Sequence, residues 1–269
     1  MKRRGFLVSS LAASALAGAT TSAEASTTGA GPAADGREHY ELRRYQLRRG
    51  PQQQMIDDYF RDANIPAINR LGIKPVGVFN TSIGPGSPSL YVLAPHPSPG
   101  SAVMIHDRLA SDPEYLKAGA PFINATPAEP AYVRVESWIF AAFAGMPKLE
   151  VPPETAENKS RIFELRTYES HSKKAHRAKV GMFNSGEIAI FRRTGLRPVF
   201  FGETMVGSGQ PSLTYMLTFA DMEERTRAWA AFVADPEWKK LSSTPGLTDP
   251  EIVSNITNVI LSPAPYSQI

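Results

Sequence analysis

The chain has 269 residues, no cysteine, and a formal net charge of +3 from 29 basic and 26 acidic side chains. The lack of cysteine excludes disulfides, thiolate chemistry and a lipoprotein anchor. Without residues 1–25, which carry Lys2, Arg3, Arg4 and Glu24, the balance falls to +1 (26 basic against 25 acidic), leaving no electrostatic reason to expect nucleic acid or an anionic membrane as partner.

Residues 1–25 have the layout of a twin-arginine export signal: paired Arg3 and Arg4, then Phe6 and Leu7, then a soft Ala/Leu/Gly run, then Ala23-Glu24-Ala25 as a small-x-small cleavage site. The run is too short and too rich in Ala and Gly to span a bilayer stably, because a spanning helix needs about 20 strongly apolar residues. Cleavage after Ala25 and a periplasmic or secreted location are therefore expected, with no stable membrane span in the mature chain. Residues 26–37 are small and polar and read as a disordered spacer.

From residue 38 the elements follow a β-α-β-β-α-β order. Residues 39–47 alternate as a strand, and 51–71 carry Ile56, Tyr59, Phe60 and Ala63 at helical spacing. Pro66 is expected to kink that helix or end it early. Strands are expected at 74–80 and 89–94 around a Gly/Pro/Ser hairpin loop, and a helix at 101–109. Asp112-Pro113-Glu114 has the form of a cap, a proline in the first turn and an acid behind it. A last strand falls at 132–140. Residues 144–160 form a proline- and charge-rich linker.

The plan then repeats. Sliding the first copy forward by 123 positions lays YELRRY (40–45) on FELRTY (163–168), PSL (88–90) on PSL (211–213), and DPEY (112–115) on DPEW (235–238). Strands are expected at 161–169, 197–205, 212–219 and 255–262, and helices at 172–194 and 221–234. Met222, Thr226, Trp229, Ala230 and Val233 make the expected inward stripe of the latter. A hundred-residue period marks a duplicated domain and not a solenoid. The fold class is α+β: tandem ferredoxin-like (βαββαβ) units, 38–143 and 161–265, whose one-sided sheets cover each other as an α/β barrel.

The ELRxY strand, the DPEY/DPEW turn and the tandem duplication together resemble the NIPSNAP family, which is similar in fold to dimeric α/β-barrel proteins of the antibiotic-monooxygenase type. The resemblance covers about residues 38–265. Its best-known members are eukaryotic mitochondrial or membrane-associated proteins. This chain opens instead on a bacterial-type export signal, so their roles in vesicle traffic and mitochondrial quality control are not carried over. The resemblance implies a fold more firmly than a reaction.

Period-two geometry puts Glu41, Arg43 and Tyr45 on one face of the first strand and Glu164, Arg166 and Tyr168 on the same face of its repeat. If Phe163, Leu165 and Thr167 face helices, the Glu/Arg/Tyr row lines the barrel lumen. It then reads either as a ligand-orienting lining, with Arg as anion clamp, Glu as acceptor or base and Tyr as donor, or as a self-satisfied ion network that fixes how the halves face. His39 is placed to point into the barrel with Glu41. His106 stands where the repeat has Trp229 and reads as a core or interface imidazole. His171 and His176 lie in a lysine-rich, solvated helix start. Glu187 falls on an apolar stripe but is expected to turn outward at Gly186. No His/Asp/Glu set has metal-ligand spacing, and no cofactor is expected. GPGSPS (84–89) and GSGQPS (207–212) lie between strands and lack a P-loop's Lys-Ser/Thr end, so they read as hairpin loops.

Three functions stay open: an exported barrel binding a small organic, aromatic or anionic molecule between its repeats; a cofactor-free oxygenase or isomerase using Tyr45, Tyr168, His39 or His106 as acid or base; or a structural module. A small-molecule ligand and a homo-oligomeric assembly are the expected partners.

Overall fold

Strands form where β-branched and aromatic residues run together between glycine- and proline-marked turns. The computed structural model describes residues 36–269, so the expected export signal and the expected spacer up to residue 35 lie outside the described residues. The first copy supplies β1 (His39–Gln46), β2 (Gly77–Ile83), β3 (Ser89–His96) and β4 (Arg134–Ala142). The second supplies β5 (Ile162–Glu169), β6 (Arg197–Val206), β7 (Ser212–Phe219) and β8 (Asn255–Pro263). The strands close into a barrel in the order β1-β3-β2-β8-β5-β7-β6-β4. Each copy contributes a 4-1-3-2 antiparallel sheet. The seams are β2 on β8 and β4 on β6, also antiparallel. The ferredoxin-like duplication and its closed barrel are thus as expected, and β1 and β5 run in the same direction.

Both middle strands β3 and β7 are buried along all eight residues, because one face meets the lumen and the other meets helices. The lumen face collects Tyr40, Leu42, Phe79, Phe140, Phe163, Leu165, Met216 and Leu261 into one cluster drawn from both copies. Each fully buried Phe of that set contributes about 1.5–3 kcal/mol of transfer free energy. Ile269 joins this cluster, and Arg161 donates to its carbonyl oxygen, so that end of the barrel is plugged.

The caps read from the sequence form in both copies. Asp112 accepts from the Tyr115 amide at 3.0 Å, and Asp235 from those of Glu237 and Trp238 at 2.9 and 3.0 Å. The long helix after β1 departs from expectation. It neither ends nor breaks at Pro66, but passes through a π-helical turn, Tyr59–Asn64, and continues as Ile65–Arg70. The i−5 register places Pro66 at the start of the new segment, where its missing N–H does no harm. The repeat has the same π turn at Phe183–Glu187, with Ala189 in place of Pro66, so proline is not its cause. The extra residue turns Asn64 and Glu187 toward the sheet, and both are buried. Glu187 therefore does not face outward as expected.

The inward stripe of the helix Met222–Ala234 also differs. Met222 and Val233 are exposed, while Ala228 and Phe232 are buried and Trp229 packs against the same cluster. The start of the helix Lys173–Met182 is not wholly solvated: His176 and Lys179 are buried, the first 3.1 Å from Glu203 and the second 3.2 Å from Glu187. No helix among the described residues is long and apolar enough to cross a membrane.

Candidate functional site

The Glu/Arg/Tyr rows do not line the lumen. Tyr45 packs on Phe60 and Phe122, and Tyr168 on Phe183, all in the helical layer. Glu41, Arg43, Tyr45, Glu164, Arg166 and Tyr168 therefore lie between sheet and helices, the reverse of the expected face. The physical reason is pairing. Buried charge needs partners, and the helical layer supplies them, whereas the lumen beside Glu41 and Glu164 is filled with aromatic and aliphatic side chains such as Tyr40, Leu42, Phe163 and Leu165.

The two copies use this position differently. In the second, Glu164 is fully buried and saturated. Arg225 donates to it through Nε and Nη2 at 2.9 and 2.6 Å, Trp229 through Nε1 at 2.7 Å, Asn258 at 2.6 Å and Arg166 at 3.1 Å. The Trp229 ring lies 4.7 Å from the Arg166 guanidinium carbon. Burial would raise the Glu164 carboxyl, but the Arg225 and Trp229 hydrogen bonds and the nearby arginine charges outweigh it and hold the group below its usual range. Tyr168 is sealed by a 2.9 Å bond to Tyr215. This row is a self-satisfied network, the second of the two sequence readings.

In the first copy the offset of 123 puts Ala102 where Arg225 stands and His106 where Trp229 stands. In the last strand the offset becomes 121, because Arg43 faces Ser137 in register as Arg166 faces Asn258. The serine is too short to reach the carboxylate as the asparagine does. Glu41 keeps Arg43, whose Nε donates at 2.7 Å, and His96, whose Nε2 stands 3.7 Å away. Burial opposes ionisation of Glu41, yet the His96 and Arg43 contacts leave its carboxyl below the ordinary value.

Two of the smaller residues, His106 and Ser137, line a cleft of about 280 Å³ beside Arg43 and Tyr45. Its far wall is aromatic. Tyr59 and Tyr115 share a hydrogen bond of 2.8 Å, and Phe122 stacks on Tyr59 at 3.9 Å. His106 is not the core imidazole expected from its neighbours. It stands at the exposed rim, where partial burial and then the Arg43 charge depress its pKa, leaving the ring neutral and able to accept a proton at neutral pH. His39 pairs in register opposite His96 at the other end of β1, away from this lining. Sequence reasoning missed Tyr59, Tyr115, Tyr132 and His96. The first of these stands on the helical stripe with Ile56, Phe60 and Ala63, where spacing alone does not separate a cleft wall from core.

A second cavity, about 230 Å³, occupies the end of the barrel opposite the plug, between Arg44 and Glu136 on one side and Thr167 and Thr214 on the other. The hairpin loop after β6 reaches it through Ser208 and Gly209. A larger groove of about 350 Å³ lies outside the first copy among Pro51, Met55 and Pro121; Asp58 is its one charged lining residue. Among the described residues no group of three His, Asp or Glu is placed to hold a metal ion.

A family model described as NIPSNAP matches residues 40–128 and 163–268. Among solved structures, an uncharacterized NIPSNAP-like domain protein from Burkholderia xenovorans is 26% identical over 39% of this chain and 85% of its own, with a TM-score of 0.35. A candidate monooxygenase from Lactobacillus acidophilus is 9% identical over 84% of this chain and 94% of its own, with a TM-score of 0.56, and one from Fusobacterium nucleatum is 6% identical over 84% and 92%, again at 0.56. These last two share the fold across both halves. No curated protein matches the chain.

Proposed function

Because the chain belongs to the NIPSNAP family, whose barrel here has one sheet–helix cleft open and its duplicate sealed, we propose that it binds a small planar anionic molecule, an aromatic acid or phenolate, in the cleft of its first half. One observation carries this reading: Ala102, His106 and Ser137 replace Arg225, Trp229 and Asn258 around otherwise matching Glu/Arg/Tyr rows. The open cleft offers aromatic walls for a ring, with an arginine for its charge and a neutral imidazole as a hydrogen-bond partner, the few polar groups in an apolar pocket that orient a ligand. No cofactor takes part. Calorimetric titration with benzoate, salicylate and 4-hydroxybenzoate tests it. Binding at one site per chain is expected, weakened at least about tenfold by Arg43→Ala, which removes a charge-assisted contact. His106→Trp, which copies the second half, is expected to abolish it. Equal loss in Arg166→Ala, with Arg43→Ala unaffected, would overturn the assignment.

A second reading is catalysis of the cofactor-free oxygenase or isomerase kind. His106 favours it, as a neutral base at the rim with Arg43 placed to hold the anion formed by proton removal. Tyr168, sealed by Tyr215, does not serve such a role. Turnover that follows the His106 titration and disappears in His106→Gln would support this reading; turnover unchanged in that variant would exclude it.

The same proposal includes export by the twin-arginine signal of residues 1–25, for which a periplasmic product beginning at Ser26 is the expected fractionation result. It includes self-association too. The barrel leaves no free sheet edge among the described residues, so a homo-oligomer would meet through helices or loops.

A further inference from the structure

The open end of the lumen is built from equivalent positions that have diverged in chemistry. In the first copy Arg44 lies in register between Tyr91 on β3 and Glu136 on β4. In the second, the same cross-strand row reads Thr214, Thr167, Thr257. Because β1 and β5 run in the same direction, both rows arrive at the same mouth and line one cavity of about 230 Å³. Below them the floor is apolar: Leu42, Phe140, Leu165 and Val259. Trp138 stands in the first wall where Val259 stands in the second.

The arginine of this cavity is already matched. Arg44 donates to Glu136 at 2.7 Å through Nε, and Tyr91 lies opposite it in register. Glu169, at the rim, accepts from Asn255 at 3.1 Å. Arg134, next along β4, adds a positive charge at the same end. Glu169 is the one lining carboxylate without a cationic partner, and it stands at the rim already hydrogen-bonded, so the apolar floor itself faces no unpaired charge. The opposite wall presents hydroxyls: Thr167 and Thr214 bond each other at 2.9 Å, and each hydroxyl keeps capacity for a further partner.

We propose that this mouth is a second binding site, taking a neutral polyhydroxylated ring of the pyranose class. Such a ring has one C–H face, which fits the apolar floor and the Tyr91 and Trp138 side chains. It also has a belt of hydroxyls, which fits the free oxygen of Glu136, the guanidinium edge of Arg44 and the threonine row. The site exists only because two copies share one chain and have diverged, since a barrel of two identical halves would carry two ionic walls or two threonine walls. It shares no residue with the sheet–helix cleft.

Ligand-observed NMR with methyl β-D-glucopyranoside, methyl α-D-mannopyranoside and methyl β-D-galactopyranoside tests it, with methyl β-D-glucuronide and glucosamine as charged controls. At least one pyranoside is expected to saturate the protein at millimolar concentrations. Leu165→Trp, which fills the floor, should remove that binding. Thr167→Val with Thr214→Val should weaken it about tenfold, the worth of a lost hydrogen-bonded pair, while Arg43→Ala leaves it unchanged. The proposal fails if no pyranoside saturates the protein, if binding survives both mouth variants, or if a charged control binds there more tightly. None of these outcomes bears on the Arg43 cleft, whose own titration stands or falls separately.

Discussion

Replacing the same repeat position in each half should cost unequal amounts of stability. Glu164 accepts five hydrogen bonds from four side chains, whereas Glu41 accepts from Arg43 with His96 at a distance. Glu164→Gln keeps the shape and one acceptor oxygen but removes the charge that faces Arg166 and Arg225. One-sided loss of a buried pair costs about 3–5 kcal/mol. Arg225 and Arg166 keep 20% and 16% of their side-chain exposure, so water recovers part of that, and a loss of about 2–3 kcal/mol is expected. In a chain of this size that corresponds to a fall in Tm of roughly 4–12 °C. Glu41→Gln removes the charge beside one arginine instead of two, from a carboxylate that is 12% exposed where Glu164 is fully sealed, and about 1–2 kcal/mol is expected. The sign with pH follows from the depressed Glu164 carboxyl. Its contribution is present above the unfolded-state pKa and disappears as pH falls through the lower folded-state value. Urea denaturation of both variants, at neutral pH and in acid, measures this. A Glu41→Gln variant less stable than Glu164→Gln would refute the reasoning.

Two further outcomes are expected. Glu187 is fully buried and its carboxyl is pushed up to about 7, burial first, with Lys179 opposing, Asp249 adding to the rise and Arg166 lowering it; stability should therefore fall as pH rises from about 4.5 toward 7, by roughly 3 kcal/mol, and Glu187→Gln should flatten that slope in urea titrations, an unchanged slope contradicting the assignment. Trp229→His should cost about 2–4 kcal/mol as a large-to-small change and open the second cleft, so that an aromatic acid binds at two sites per chain where the unaltered protein binds at one; a folded variant with unchanged stoichiometry would show that Trp229 is not what closes it.

The duplication was legible because YELRRY and FELRTY, and the two Asp-Pro-Glu caps, recur at one spacing. The barrel followed from that, since a sheet with helices on one side must cover its other face. Which face is which was not legible. Alternation tells that Glu41, Arg43 and Tyr45 travel together, but not whether they meet lumen or helices when both sides are buried. The row went to the side where helices and neighbouring strands bring Arg225, Trp229 and Asn258, which lie 61, 65 and 94 residues from Glu164 in sequence. The π turns were hidden as well, because one extra residue in a helical turn leaves no compositional mark, and with them the inward position of Glu187. The contrast of His106 with Trp229 was visible as a failure of the repeat. Its meaning needed the shift from 123 to 121 in the last strand, which a gap-free comparison conceals.

The most direct test of this account is a crystallographic screen of small aromatic acids against the full chain. Bound ligand between Arg43 and His106, with the space between Arg166 and Trp229 filled by side chains, is the predicted result. A ligand seated against Arg166 in the second half, or a first cleft closed by its own side chains, would contradict it.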